Sequence, residues 1–189
     1  MLAVSKTRLK IFAALAVVLV TGPLPASDLQ SSLDSINIEF ELLGQTGDVI
    51  TAADFRGKFV LLAFGFTRCA HICPIIVANV AMALNVSDAN AVGVFISVDT
   101  ERDTPATVQA YVSGFHESMV GLTGSYQQVR SAANNFGISF VVTKSQKAYT
   151  VEHTSDIFLI GPDGNLIDIF ALNARPSDIA RAMNQTASP

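Results

Sequence analysis

After Lys58 the chain reads FVLLAFGF, residues 59–66, with no polar side chain to turn toward water. A strand with one wet face alternates apolar and polar residues, so an unbroken run like this one has to be covered on both faces. A second such run, AVGVFISV at 91–98, follows a stretch of helical character, residues 74–86, whose apolar side chains extend nearly all round. Two doubly covered strands joined by a buried helix make a parallel βαβ unit and commit the chain to a layered α/β domain.

The remaining elements fit that plan. IEFELLGQTGDVIT, 38–51, alternates around a turn at Gly44–Asp48 and forms an N-terminal β-hairpin ahead of the first buried strand. Thr104 and Pro105 open a helix that ends near Gly114, because proline suits the first helical position and the threonine hydroxyl can cap free amides. Ser125–Phe136 reads as a helix closed by Gly137, and FGISFVV, 136–142, as a third strand. HTSDIFLIGPDGNLIDIF, 153–170, is a hairpin around Gly161-Pro162-Asp163-Gly164, and Pro176–Met183 supplies a closing helix. The expectation is a central mixed sheet with helices on both faces, in one domain over 38–189, without internal repeats.

Residues 1–26 carry Lys6, Arg8 and Lys10, then an apolar run Ile11–Val20, then Gly22, Pro23 and Pro25, which is the layout of a cleaved secretory signal. Ten apolar residues are short for a membrane span, so an uncleaved anchor to the inner membrane is the lesser alternative, and no cysteine follows the run to carry lipid. Residues 27–37 are a polar, serine-rich linker. Export to a periplasmic compartment leaves nine basic against sixteen acidic residues, a formal charge of −7. So acidic a chain lacks the clustered lysine and arginine that nucleic acids or anionic membranes require, and membrane contact is expected only through a retained leader. A monomer is expected.

The only two cysteines, Cys69 and Cys73, stand in RCAHICP between the first buried strand and its helix, where ligands gather in open α/β sheets. An oxidising compartment does not leave idle thiols alone, so the pair is a disulfide, a redox couple or a metal site. A disulfide closing so short a loop stabilises little. The common redox spacing is C-x-x-C, one residue shorter than this one. A soft metal needs at least one more ligand. The helix start and Arg68 both favour a thiolate here. Three histidines are available: His71 between the cysteines, His116 after a helix end, and His153 at the entrance of the strand DIFLI.

FGFTRCAHICP, SVDTERDTP and EHTSDIFLIGPDGN, in this order and at these separations, resemble the Sco (SenC-like) family of copper chaperones, over roughly residues 38–185. The resemblance implies a thioredoxin-like fold, a role in cytochrome c oxidase assembly, and one copper ion held by Cys69, Cys73 and His153. Copper would be carried as Cu(I), with Cu(II) left open, and delivered to the copper centre of an oxidase subunit or to another copper-trafficking protein. Two thiolates and one imidazole suit Cu(I) and leave an open edge for a partner's sulfur. The family commonly reads Cys-Pro-Asp-x-Cys-Pro; here Ala70 and His71 replace the proline and the acid, which loosens the loop and adds a nitrogen that could join the site. Asp99, Glu101, Arg102 and Asp103 match the family's acidic-arginine segment, either as a solvated turn capping the next helix or as charges facing the metal loop. The alternative is an enzyme, a periplasmic thiol-disulfide oxidoreductase that reduces the oxidase cysteines, with Cys69 and Cys73 as its catalytic residues and Cys69 the attacking thiolate. A thioredoxin-type enzyme carries a proline where this chain has His153-Thr154, which favours metal, and the residues around Cys69 match no peroxidase motif.

Overall fold

A computed structural model describes residues 38–145 and 148–187; the leader at 1–26 and the linker at 27–37 lie outside the described residues. β3 (Phe59–Gly65) is buried along its whole length. Its side chains alternate between two cores: Phe59, Leu61 and Ala63 point to one, Val60, Leu62 and Phe64 to the other. β4 (Ala91–Ser97) pairs parallel with β3 through α1 (Ile72–Val86). β5 (Met119–Leu122) pairs parallel with β4 through α2 (Pro105–Ser113). On the other side of β3 run β8 (Ile157–Ile160) and β9 (Leu166–Phe170), both antiparallel to their neighbours. The sheet order is β5-β4-β3-β8-β9.

Helices α1, α2 and α4 (Pro176–Ala187) pack on one face. α3 (Tyr126–Asn135) covers the other face together with β1 (Glu41–Leu43), which pairs with β2 (Val49–Thr51) in the N-terminal hairpin. This is the mixed, doubly covered sheet expected. The Thr104 cap forms as read, the Thr107 amide donating to Thr104 Oγ1 at 3.2 Å, and Ser125 caps α3 in the same way, accepting from the Gln128 amide at 3.3 Å. Two helices are longer than read, α1 by two residues at its start and α4 by a turn at its end.

Two expectations are corrected. The first concerns β5, which the sequence reading passed over because only four residues, two of them flanking Gly121, form it. Gly121 is required by a close approach: a Cβ there would meet the Val108 carbonyl carbon at 2.6 Å, so the α2 backbone lies directly on the strand. The second concerns FGISFVV, read as a third strand: only its second half is extended, and it lies outside the central sheet. Gly137 turns the chain with φ of 67°, and the extended part, β6 (Phe140–Lys144), pairs antiparallel with β7 (Tyr149–His153) alone. His153 therefore ends β7, four residues before β8 begins, instead of opening the apolar strand.

Candidate metal centre

β3 and β4 end side by side, Gly65 opposite Ser97, and the cysteine loop and the segment 98–103 leave from this one edge. The loop first turns, with the Cys69 amide donating to the Phe66 carbonyl at 3.3 Å, and then enters α1. His71 occupies the capping position of α1 without a side-chain bond to the helix. The free amide of Cys73 donates instead to Cys69 Sγ at 3.4 Å, so a sulfur does the capping that an oxygen usually does. Cys73 is fully buried in the first turn of α1. A Cβ at Gly65 would come 3.0 Å from its sulfur, which is how that sulfur comes to rest over the end of β3.

His153 arrives from the hairpin, eighty residues downstream. Its Nε2 lies 3.5 Å from Cys73 Sγ, and its ring stands edge-on to Phe66 with centroids 5.9 Å apart. Its Nδ1 is 2.7 Å from the Thr154 carbonyl oxygen. A carbonyl only accepts, so Nδ1 carries the proton and Nε2 presents its lone pair to the sulfur. A metal-binding histidine needs this second contact, and the sequence did not identify its partner.

The two thiols are tuned apart. Burial alone would push the Cys69 thiol up, yet it lies below its ordinary value, because the Cys73 thiol and the amides of Cys73, His71 and Ile72 all hydrogen-bond its sulfur. Arg68 is exposed, and the lowering rests on these bonds. Burial pushes the Cys73 thiol up to about 12, with the hydrogen bond to Cys69 adding to the rise. Burial likewise holds His153 below its usual value, so the ring is neutral at pH 7. The metal-free pocket thus offers a thiolate-leaning sulfur, a buried thiol and a neutral imidazole. Among the described residues no three His, Cys, Asp or Glu side chains already form a ready-made cage. An ion would displace the Cys73 proton and draw the donors together.

His71 is exposed, and His116 sits at the opposite end of the sheet, where its Nδ1 accepts from the Ser118 amide at 3.0 Å. Segment 99–103 takes something from both readings: Asp99 pairs with Arg102 and Glu101 stays exposed, while Asp103 faces the metal loop. Asp99 and Asp103 are buried, and their carboxylates are filled by internal donors. Asp103 accepts from the Thr67 amide at 2.8 Å, Thr67 Oγ1 at 2.5 Å and Ser97 Oγ at 2.6 Å. Asp99 accepts from Arg102 Nε at 2.5 Å and Tyr149 Oη at 2.7 Å. Sequence reasoning missed Phe66 and Tyr149 as members of this region; the two-residue alternation 149, 151, 153 would have marked Tyr149 as sharing the histidine's face.

A family model described as SCO1/SenC matches residues 29–188. The chain belongs to the SCO1/SenC family. Among SCO1/SenC relatives, "Protein sco1" of Schizosaccharomyces pombe is 35% identical over 153 residues, which cover 76% of this chain and 58% of that protein. The chain thus spans little more than half the length of that relative. The crystal structure of Arabidopsis thaliana ScoI with copper bound superposes with a TM-score of 0.73 at 32% identity, covering 79% of this chain and 96% of that one. BsSco, whose structure is described by a disulfide switch and by membership of the Sco family of cytochrome c oxidase assembly proteins, shares the fold with a TM-score of 0.59 at 22% identity, covering 79% of this chain and 94% of that one. The architecture of this SCO1/SenC protein is thioredoxin-like, as the family resemblance implied.

Proposed function

We propose that this SCO1/SenC protein is a metallochaperone that takes up one copper ion through Cys69, Cys73 and His153 and delivers it to the copper centre of a cytochrome c oxidase subunit. The observation that carries the reading is the contact between His153 Nε2 and Cys73 Sγ, with Nδ1 tied to a backbone carbonyl. A histidine whose only task were packing would have no need to aim its lone pair at a sulfur. Sulfur and imidazole donors suit Cu(I), and the copper bound to the Arabidopsis relative supports the assignment. Cys69, half-exposed at the loop, is the side from which a recipient's sulfur can attack. The acidic exported domain acts in the periplasm on this reading, as a monomer.

Reduced protein mixed anaerobically with Cu(I) should keep about one equivalent after desalting, as a soft three-donor site would. His153→Ala should weaken retention while Cys69 stays reactive, and Cys69→Ser should abolish it. Undiminished retention by Cys69→Ser would sink the copper reading.

A second reading is favoured by the split between the thiols. A lowered outer cysteine in contact with a raised inner one is the arrangement of an attacking and a resolving thiol. As a thiol-disulfide reductant of the oxidase cysteines, Cys69 would attack the target disulfide. Cys73 would then lose its proton and displace the target's second thiolate, leaving a Cys69–Cys73 disulfide for an external dithiol to reduce. A model peptide carrying the oxidase's cysteine pair as a disulfide decides it: turnover that survives His153→Ala supports the reductant, and no turnover by the wild type removes it.

A further inference from the structure

The cysteines and His153 belong to parts of the chain that share no strand pairing. Cys69 and Cys73 hang on β3 and α1, while the β6–β7 hairpin pairs with nothing in the central sheet. His153 is already tethered to the sheet by the short link into β8 and by its contact with Phe66, but the far end of its hairpin needs a fastening of its own. The turn that follows β4 supplies it. Its backbone closes on itself, with the amides of Arg102 and Asp103 both donating to the Asp99 carbonyl at 3.2 and 2.9 Å. From this one turn two buried carboxylates reach in different directions: Asp103 grips Thr67, two residues before Cys69, and Asp99 grips Tyr149, the first residue of the strand that His153 ends. Arg102 completes the second grip, bonding Asp99 and lying 3.7 Å above the Tyr149 ring.

The hairpin is closed on itself at its base and fastened to the domain at its far end. At its base the Thr154 amide donates to the Ser139 carbonyl and the Ser139 amide to Thr154 Oγ1, each at 3.2 Å. At its far end the Tyr149 hydroxyl is fastened to Asp99. Tyr149, Val151 and His153 are its successive inward residues and Thr150 and Glu152 its exposed ones, so the clamp, the packing contact and the imidazole share one face.

We propose that Asp99 and Asp103 form a two-armed bracket, with Tyr149 a positioning residue that sets where His153 meets the sulfurs. The proposal rests on the reading of Cys69, Cys73 and His153 as the copper-holding set. Outer residues of this kind orient a ligand without touching the ion, and losing one costs metal affinity. Tyr149→Phe is the substitution of choice, since it deletes only the hydroxyl and keeps the ring under Arg102.

The experiment has two arms. In the metal-free protein, Tyr149→Phe should speed amide exchange in β7 about tenfold while β3 and β4 keep their rates. Unchanged exchange in β7, or an equal rise throughout the sheet, would overturn the bracket whatever the protein does with copper. In the second arm, Cu(I) affinity is measured by competition with a chromophoric chelator in the wild type, Tyr149→Phe, His153→Ala and the double variant. Tyr149→Phe should weaken binding about tenfold in the wild-type background and leave it unchanged in the His153→Ala background. An equal loss in both backgrounds would show that Tyr149 does not act through His153 and would overturn its positioning role. Should His153→Ala alone leave the affinity untouched, the three-ligand reading fails and Tyr149 has no ligand to position, while the exchange arm still decides whether the clamp holds the hairpin.

Discussion

Cys73 sits on a helix packed against a strand whose seven residues are all buried, whereas His153 ends a two-stranded ladder in which no residue is fully buried. The sulfurs inherit their position from the densest part of the core. The imidazole owes its position to a hairpin that meets the core only through partly buried residues such as Phe140 and Val151, and to a handful of side-chain contacts. Such a division lets one half of a site stay rigid while the other is adjusted by single residues, and it predicts that damage to the two regions will look different.

The largest effect should come from the rigid half. Leu61→Ala, at a fully buried position of β3, should cost about 3 kcal/mol of stability by chemical denaturation. The molecules that remain folded should bind copper as before, and a parallel loss of affinity would mean the sulfur geometry is less secure than the packing implies. Thr67→Val removes the hydroxyl bond to Asp103 and should cost about 1.5 kcal/mol, with Cys69 alkylation changing and β7 amide exchange staying the same. Lys144→Gln cuts an exposed ion pair with Glu101 on the hairpin and should cost less than about 0.5 kcal/mol. A larger loss would shift the weight of the clamp from the buried Asp99 arm to the surface.

A pH titration sharpens the same contrast. Burial lowers the His153 pKa in the folded state, so the unfolded chain takes up the proton first as pH falls. The stability His153 contributes is therefore complete above its ordinary value of 6.5 and declines as pH falls toward its folded value. His153→Gln should lose less stability than the wild type between neutral and mildly acidic pH in paired denaturant melts. On the cysteine side, mass-mapped alkylation should label Cys69 at a pH below that of a free thiol, while Cys73 stays protected until strongly alkaline conditions.

What could be read in the sequence follows the same line. β3, β4 and the β8–β9 hairpin announce themselves through unbroken apolar runs and a Gly-Pro-Asp-Gly turn, and the cysteine turn falls where such sheets collect ligands. β6 was legible as a strand, but β7 and their pairing were hidden, because the chain around Ser145 and Ala148 has no glycine or proline to signal a turn and β7 alternates too weakly to stand apart from loop. The buried acids were hidden for another reason. Asp99 and Asp103 look like solvent residues in sequence, and only the donors that folding supplies, Tyr149 and Thr67, make their burial tolerable. The proximity of His153 to Cys73 came from family resemblance, since no local pattern spans eighty residues.

The hydrogen bond from His153 Nδ1 ends on a main-chain oxygen, not on a side chain. Every amino acid brings that oxygen, so the protonation pattern of the ring is indifferent to what stands at position 154. Exchanging Thr154 would remove the hydroxyl that helps close the hairpin base, yet the choice of ring nitrogen would survive it, and only a change in the path of the backbone there could turn the wrong nitrogen toward the sulfurs.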